Sequence, residues 1–152
     1  MVWDFHIYFP KTEHHICVER SYVSFQFLRL PKTAIYPLKL WVHIGKDLKE
    51  LIASCFDGCN APDSDYGGVT YADTVRKIDR RRGVLVSFQC QKDMSMDYCC
   101  HEASHACDAI EDAIGMEHGD EPSAYLIGWI ASCINKARLG IGDFVELKDK
   151  EE

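Results

Sequence analysis

The stretch His101–Gly115 reads HEASHACDAIEDAIG, and it decides how the rest of the chain is interpreted. It opens with an H-E-x-x-H motif, in which His101 and His105 stand one helical turn apart. Both imidazoles would therefore project from the same face of a helix. Such a pair gives Zn²⁺ two nitrogen ligands, while the neighbouring Glu102 stays free to act as a base.

The motif is predicted to lie inside a long amphipathic helix at residues 93–115. Asp93 and Ser95 are candidate N-terminal caps, and Gly115 is a natural stop after Ile114. The predicted apolar stripe consists of Cys99, Ala103, Cys107, Ile110 and Ile114. A polar face consists of His101, His105, Asp108 and Asp112. We expect the first face to pack in the core and the second to line a cleft, where the two aspartates either orient the imidazoles or are solvated.

A second helix is predicted at residues 120–139, after the turn at Gly115. Pro122 is tolerated in the first turn of a helix, so it fits a start at Asp120 or Glu121. The apolar positions of this helix are Tyr125, Leu126, Trp129, Ile130 and Cys133.

A catalytic zinc site usually has a third protein ligand, and Glu121 is the favoured candidate. The free N–H groups at a helix start stabilise a carboxylate there. Glu111 follows His105 by six residues, but that pattern needs a helix-breaking glycine where this chain has Asp108, so it is rejected. The alternatives that remain open are Glu117, His118, Asp120 and a site without a third protein ligand.

The region before the motif helix, residues 1–90, is predicted to be mainly strands with one short helix. Alternating or β-branched segments predict strands at 2–9, 15–30 (one strand or two joined by a bend), 38–44, 69–72 and 83–89. Apolar residues at helical spacing predict a helix at 47–56. The stretch 57–68 consists of turn-forming residues and is predicted to be a loop.

Length and composition favour one folded domain. The chain has 152 residues, of which 47% are hydrophobic and 27% charged. We expect a single domain, 1–152, of the α+β class. Its mixed or antiparallel sheet, of about four to five strands, would pack on the motif helix and on the helix that follows.

The charge balance argues against nucleic acid as a partner, because the formal net charge is −7. A basic run, Arg76, Lys77, Arg80, Arg81 and Arg82, is interpreted as a solvated turn rather than a binding patch. No segment approaches the ~20 apolar residues of a membrane span, and residues 1–9 lack a signal-peptide pattern. We therefore expect a cytoplasmic protein without a membrane partner.

Eight cysteines are many for a chain of this length, and we expect them to be mainly reduced, buried thiols. There is no C-x-x-C pair, which argues against a zinc ribbon or a thioredoxin-type site. A second, structural metal site is the less favoured interpretation. Its candidate ligands are Cys55 with Cys59, and His14 with His15 and Cys17.

Two segments carry a resemblance to a known group: HEASHACDAIEDAIG and Glu121–Trp129, EPSAYLIGW. They resemble the small H-E-x-x-H proteins of phages and prophages that are grouped with metallopeptidases. In those chains a helix beginning E-x-x-A-Y-L-x-G-[YW] follows the motif helix. The similarity covers roughly residues 35–135. It implies a minimal zincin fold of gluzincin type, with Zn²⁺ held by His101, His105 and Glu121, and it implies the host cytoplasm for a phage-encoded chain.

The expected function is zinc-dependent hydrolysis of a peptide or protein substrate. Glu102 would take the proton of the attacking water and deliver it to the leaving amine. Tyr125 or His118 would donate to the oxyanion, and a core position is the alternative for Tyr125. The competing hypothesis is a non-catalytic, zincin-like metal-binding or interaction protein, which a fourth protein ligand such as Cys100 would favour.

Overall fold

The computed structural model describes residues 38–141 with their side chains, and the backbone of three further strands at 5–7, 16–21 and 144–146. One 3-10 turn, Gln91–Asp93, precedes the motif helix. The other elements are β1 (Phe5–Ile7), β2 (Ile16–Ser21), β3 (Lys39–Ile44), α1 (Leu48–Cys55), β4 (Phe56–Asp57), β5 (Gly68–Arg76), β6 (Arg82–Phe88), α2 (Met96–Ile114), α3 (Glu121–Leu139) and β7 (Phe144–Glu146).

The described strands form one mixed sheet in the order β1-β7-β2-β3-β6-β5-β4. Strands β3 and β6 are parallel, whereas β5 is antiparallel to both β6 and β4. The α+β class is therefore confirmed. The described sheet has seven strands rather than the four to five predicted, and the two that no prediction covers are β4, with 2 residues, and β7, with 3. Strands of that length are too short to leave a periodic pattern in a sequence.

The centre of the sheet is the parallel pair β3 and β6, and it is covered on both faces. Parallel strands buried on both faces read as nearly continuous apolar runs, as LWV in β3 and VLV in β6 do. One face packs against α2 and α3 through Val42 and Val86, among others. The other face packs against α1 through Trp41 and Leu85. The motif helix is thus held against the middle of the sheet.

The three α-helices confirm the predicted ones, and their ends agree with capping chemistry. Ser95 is the N-cap of α2, and its side chain accepts a hydrogen bond from the backbone N–H of Tyr98. Asp93, the other candidate cap, ends the 3-10 turn instead. Gly115 and Gly140 follow α2 and α3 in left-handed conformations, at φ 67° and 63°, which glycine adopts without strain.

Most strand predictions in residues 38–141 are confirmed within one or two residues. The exception is the strand predicted at 69–72, which extends as β5 from Gly68 to Arg76. The strands predicted at 2–9 and 15–30 contain β1 and β2, and their remaining residues lie outside the described part of the chain. None of the described helices combines the length and the apolar character that crossing a membrane requires.

Candidate metal-binding site

His101 and His105 face each other on the exposed surface of α2. Their Nε2 atoms are 3.1 Å apart. The rings meet edge to face, with centroids 4.6 Å apart and an interplanar angle of 83°. In residues 38–141 each ring has no other hydrogen-bond partner. Two nitrogens at ~2.05 Å from one tetrahedral Zn²⁺ are about 3.3 Å apart, so the observed pair fits a zinc ion with little adjustment.

Glu102 lies beside the two histidines but is buried, with 4% of its surface exposed. Its Oε2 accepts a hydrogen bond of 2.6 Å from the hydroxyl of Thr70, which lies in β5. The same hydroxyl is 3.3 Å from the backbone carbonyl oxygen of Glu102. The hydroxyl of one strand residue therefore fixes both the carboxylate and the turn of α2 that carries it.

Two glycines allow β5 to lie this close to α2. A Cβ at Gly68 would lie 2.7 Å from Cγ and 2.9 Å from Oε1 of Glu102. A Cβ at Gly67 would lie 2.8 Å from the ring of Tyr98. Neither Thr70 nor Gly68 is among the site residues predicted from the sequence. The available signal was the glycine pair directly before a strand, which is typical of a close backbone approach.

The histidines and Glu102 line a cleft between β5 and α2, which we call the β5–α2 cleft. It has a volume of about 460 Å³. Gly68, Val69, Thr70 and Ala72 line the strand side. The four predicted cleft-facing side chains, His101, His105, Asp108 and Asp112, line the helix side, which confirms that expectation.

The cleft also exposes a strand edge. Among the described strands, β4 pairs with β5 only at Val75 and Arg76. The first half of β5, Gly68–Ala72, therefore has β6 on one side and no described strand on the side away from β6. Backbone N–H and C=O groups along such an edge are available to an extended ligand.

Comparisons with known proteins identify no relative. No protein-family model, curated protein or solved structure matches the chain. The resemblance to phage-type H-E-x-x-H proteins and the zincin fold therefore stay predictions from the sequence.

Glu121 and Tyr125, the other predicted site residues, lie on α3. Glu121 is exposed at the first position of the helix, and neither residue lines the β5–α2 cleft. Glu121 does not form, with His101 and His105, a group of ligand atoms all within 4.8 Å in the described part of the chain. Its role as third ligand stays a prediction. Tyr125 is 57% exposed, so the alternative of a core tyrosine is wrong, and its role as oxyanion donor stays a prediction.

His118, one of the alternative third ligands, is held by carboxylates at the far end of α2. Its Nδ1 lies 2.9 Å from Oε2 of Glu111 and 3.3 Å from Oδ1 of Asp108. Its Nε2 lies 2.8 Å from Oδ1 of Asp112. The hydrogen bonds that His118 donates to Asp112, the larger cause, and to Asp108 raise the pKa of His118. The two aspartates therefore orient His118 and not the rings of His101 and His105.

The cysteines behave mainly as predicted. None of the seven in residues 38–141 forms a disulfide bond, and four of them are buried: Cys55, Cys99, Cys107 and Cys133. Burial, with the nearby charge of Glu111, raises the pKa of Cys107 to about 12. A thiol at that pKa is protonated at neutral pH when no metal is bound. Cys17 and the two histidines near it lie outside the residues whose side chains are described.

The basic run is neutralised by nearby acids. Arg80 pairs with Asp57 at 2.6 Å, and Arg82 pairs with Asp73 at 3.1 Å. Arg76 pairs with Asp79 through two hydrogen bonds. These exposed ion pairs in and beside the turn between β5 and β6 confirm its interpretation as a solvated turn.

Proposed function

We propose that the protein is a zinc-dependent peptidase or amidase in which His101 and His105 bind Zn²⁺ and Glu102 is the general base. The observation that carries this proposal is the convergence of two exposed Nε2 atoms at 3.1 Å, beside a buried carboxylate, in an accessible cleft. Imidazole nitrogen is a preferred zinc ligand, and the distance between the two nitrogens suits tetrahedral coordination.

Glu102 and Thr70 have different roles in the proposed hydrolysis. Zn²⁺ supplies Lewis acidity, which polarises a carbonyl group and acidifies water. Glu102 accepts the proton of the attacking water and then donates it to the leaving nitrogen. The Thr70 hydroxyl occupies Oε2 of Glu102 at 2.6 Å, so proton transfer is assigned to Oε1. Thr70 is a positioning residue, because it acts through Glu102 and not on the substrate.

The substrate we infer is an extended peptide. The edge of β5 at Gly68–Ala72 lines the same cleft as the two histidines. A peptide that adds to this edge as another strand would gain backbone hydrogen bonds and would run past the zinc ligands. Such binding selects an unfolded or flexible segment, because a folded domain cannot offer a free strand to a cleft of this size.

The third ligand in the proposal is Glu121, which opens α3 after the short connection from α2. A carboxylate at a helix start is stabilised by the free N–H groups of the first turn. We expect Glu121→Gln to weaken zinc binding at least tenfold, measured by competition with a fluorescent chelator. The nearby Glu117→Gln is the matched control and should leave the affinity unchanged. Equal affinities of both variants and the wild type would remove Glu121 from the site.

The proposed activity is tested on a mixture of denatured proteins. Zinc-loaded protein is incubated with the mixture, and new peptide termini are identified by mass spectrometry. The wild type should generate new termini, and Glu102→Gln should generate none while retaining its zinc. Cleavage by Glu102→Gln at the wild-type rate would contradict the assigned base. Zinc binding without cleavage by the wild type would favour the non-catalytic metal-binding alternative.

A further inference from the structure

A second group of potential metal ligands lies at the C-terminal end of α2. It comprises Asp108 and Glu111 of α2 and His118 from the connection between α2 and α3. One ligand atom from each of the three residues lies within 4.8 Å of the others. We propose that Asp108, Glu111 and His118 bind a second divalent cation, separate from the one assigned to His101 and His105.

Glu111 gives this group a strong reason to attract a cation, because its side chain is only 1% exposed. A buried carboxylate is costly unless a positive charge or good hydrogen bonds compensate it. Its Oε1 meets only the thiol of Cys107, a weak donor, at 3.5 Å. Its Oε2 points to His118 at 2.9 Å. No lysine or arginine of residues 38–141 pairs with it, so its charge is directed at the proposed site.

The orientation of His118 is a separate observation that points to a metal. Its Nε2 lies 2.8 Å from Oδ1 of Asp112, and a carboxylate can only accept, so Nε2 carries a proton. The other nitrogen, Nδ1, lies 2.9 Å from Oε2 of Glu111 and 3.3 Å from Oδ1 of Asp108, so it also carries a proton while no metal is bound, and a bound cation would take the place of that proton. A carboxylate behind the distal nitrogen is the usual support of a metal-binding histidine.

The ligand atoms suit Zn²⁺ in chemistry and spacing. One imidazole nitrogen and two carboxylate oxygens form a mixed donor set that Zn²⁺ accepts. The Nδ1 atom of His118 is 2.9 Å from Oε2 of Glu111 and 3.3 Å from Oδ1 of Asp108. Neighbouring ligands of one tetrahedral zinc ion are about 3.3 Å apart. The side chains of Asp108 and His118 are 57% and 48% exposed, so a cation reaches the group from solvent.

A cation bound here would tie the connection between α2 and α3 to the end of α2. His118 is the ligand outside α2, and both carboxylates belong to that helix. The first residue of α3, Glu121, is three positions beyond His118. The second cation would therefore fix where α3 begins, whether or not the chain hydrolyses peptides.

The test measures bound Zn²⁺ by equilibrium dialysis followed by elemental analysis, with zinc as the only added metal. The variant His101→Ala/His105→Ala removes the exposed pair and isolates the second group. We expect this variant to retain zinc at about half of the wild-type amount. Adding His118→Gln should remove the remainder, and Asp108→Asn in place of His118→Gln should do the same. Circular dichroism checks that each variant is folded.

Two further variants sharpen the result. Asp112→Asn should weaken the second site about 10- to 100-fold, because it removes the support of His118. Asp63→Asn, an exposed acid outside both groups of ligands, should leave zinc binding unchanged. Loss of all zinc in His101→Ala/His105→Ala, or equal zinc with and without His118→Gln, would overturn the second site. Zinc that survives His101→Ala/His105→Ala undiminished but is lost in His118→Gln would instead refute the proposed catalytic pair.

Discussion

His43 and the His101–His105 pair lie on opposite faces of the same sheet, and they differ in exposure and in hydrogen bonding. His43 is 1% exposed. Its Nε2 is hydrogen-bonded to Oδ1 of Asp47 at 2.9 Å, and its Nδ1 is hydrogen-bonded to Oγ of Ser87 at 2.8 Å. The Ser87 hydroxyl is also hydrogen-bonded to the hydroxyl of Tyr66 at 3.0 Å. Each group in this buried chain has a partner, as buried polar groups require.

The exposed pair has the opposite character, since each imidazole of His101 and His105 has only the other as a partner in residues 38–141. Serine, histidine and aspartate together would suggest a nucleophilic triad around His43. However, Ser87 is 0% exposed and cannot reach a substrate. The two histidine systems contain similar residue types, and they differ in exposure and in the number of their hydrogen-bond partners.

The largest expected effect is on the rate of hydrolysis, which should depend on the cleft residue Glu102 and not on Ser87 beside His43. Glu102→Gln should lower the rate of peptide hydrolysis about 100- to 10,000-fold, because it removes the general base. Ser87→Ala should leave the rate per folded molecule unchanged, since Ser87 does not contact the cleft. Initial rates on a peptide identified in the cleavage mixture provide the measurement. A large loss of activity in folded Ser87→Ala would break the distinction between the two histidine systems.

For stability we expect the opposite result: substitution of the buried His43 should destabilise the protein more than substitution of the exposed His105. In EDTA, His43→Ala should lower the free energy of unfolding by about 2–4 kcal/mol. The substitution leaves a cavity, and the buried polar partners of His43 lose their hydrogen bonds. His105→Ala should change it by less than about 0.5 kcal/mol, as exposed substitutions usually do. Urea denaturation followed by tryptophan fluorescence measures both. Equal destabilisation by the two variants would mean that His105 has a structural role.

The close approach of β5 to α2 is tested with two glycines. Gly68→Ala should destabilise the protein by about 1–3 kcal/mol and disturb Glu102, since the added Cβ would lie 2.7 Å from its Cγ. Gly128 lies in α3, and an added Cβ there would have no atom of the described residues within 4 Å apart from its two chain neighbours and the nearby backbone of the same helix. Gly128→Ala should therefore stabilise the helix by about 0.5–1 kcal/mol. A neutral Gly68→Ala would argue against the packing of β5 on Glu102.

The smallest effect concerns the hydrogen bond from Thr70 to Glu102. Thr70→Val keeps the shape and removes the hydroxyl, so the hydrolysis rate should fall about tenfold, as expected for loss of a bond to a charged group. Thr70→Ser keeps the donor and should retain most of the rate. The two variants are compared by kcat at fixed zinc concentration. Equal rates would show that Thr70 does not position the base.

The sequence was sufficient for the long elements, where periodicity and capping agree. The helix at Met96–Ile114 has a Ser95 cap and a Gly115 stop, and it lies where the pattern predicts it. Strands β3 and β6 are recognisable because burial on both faces makes them almost wholly apolar. The short strands β4 and β7 were missed, because pairing with a neighbour, rather than their own pattern, defines them.

Only the part of the candidate site whose residues are close together in the sequence was predictable. The spacing of His101 and His105 fixes their common face through helix geometry alone. The contact between Thr70 and Glu102 spans 32 positions in the chain and depends on how β5 packs on α2. The position of Glu121 depends on the path of the connection before α3, which helix periodicity does not determine. Tertiary packing therefore sets the parts of the site that the motif leaves open.

The zinc content of two matched variants tests the central claim most directly. The background His118→Gln removes the second proposed site, so any remaining zinc reports on the exposed pair. We predict that this background binds zinc with a stoichiometry near one, and that adding His105→Ala abolishes binding. Equal zinc in the two proteins, or none in either, would contradict the assignment of His101 and His105 as metal ligands.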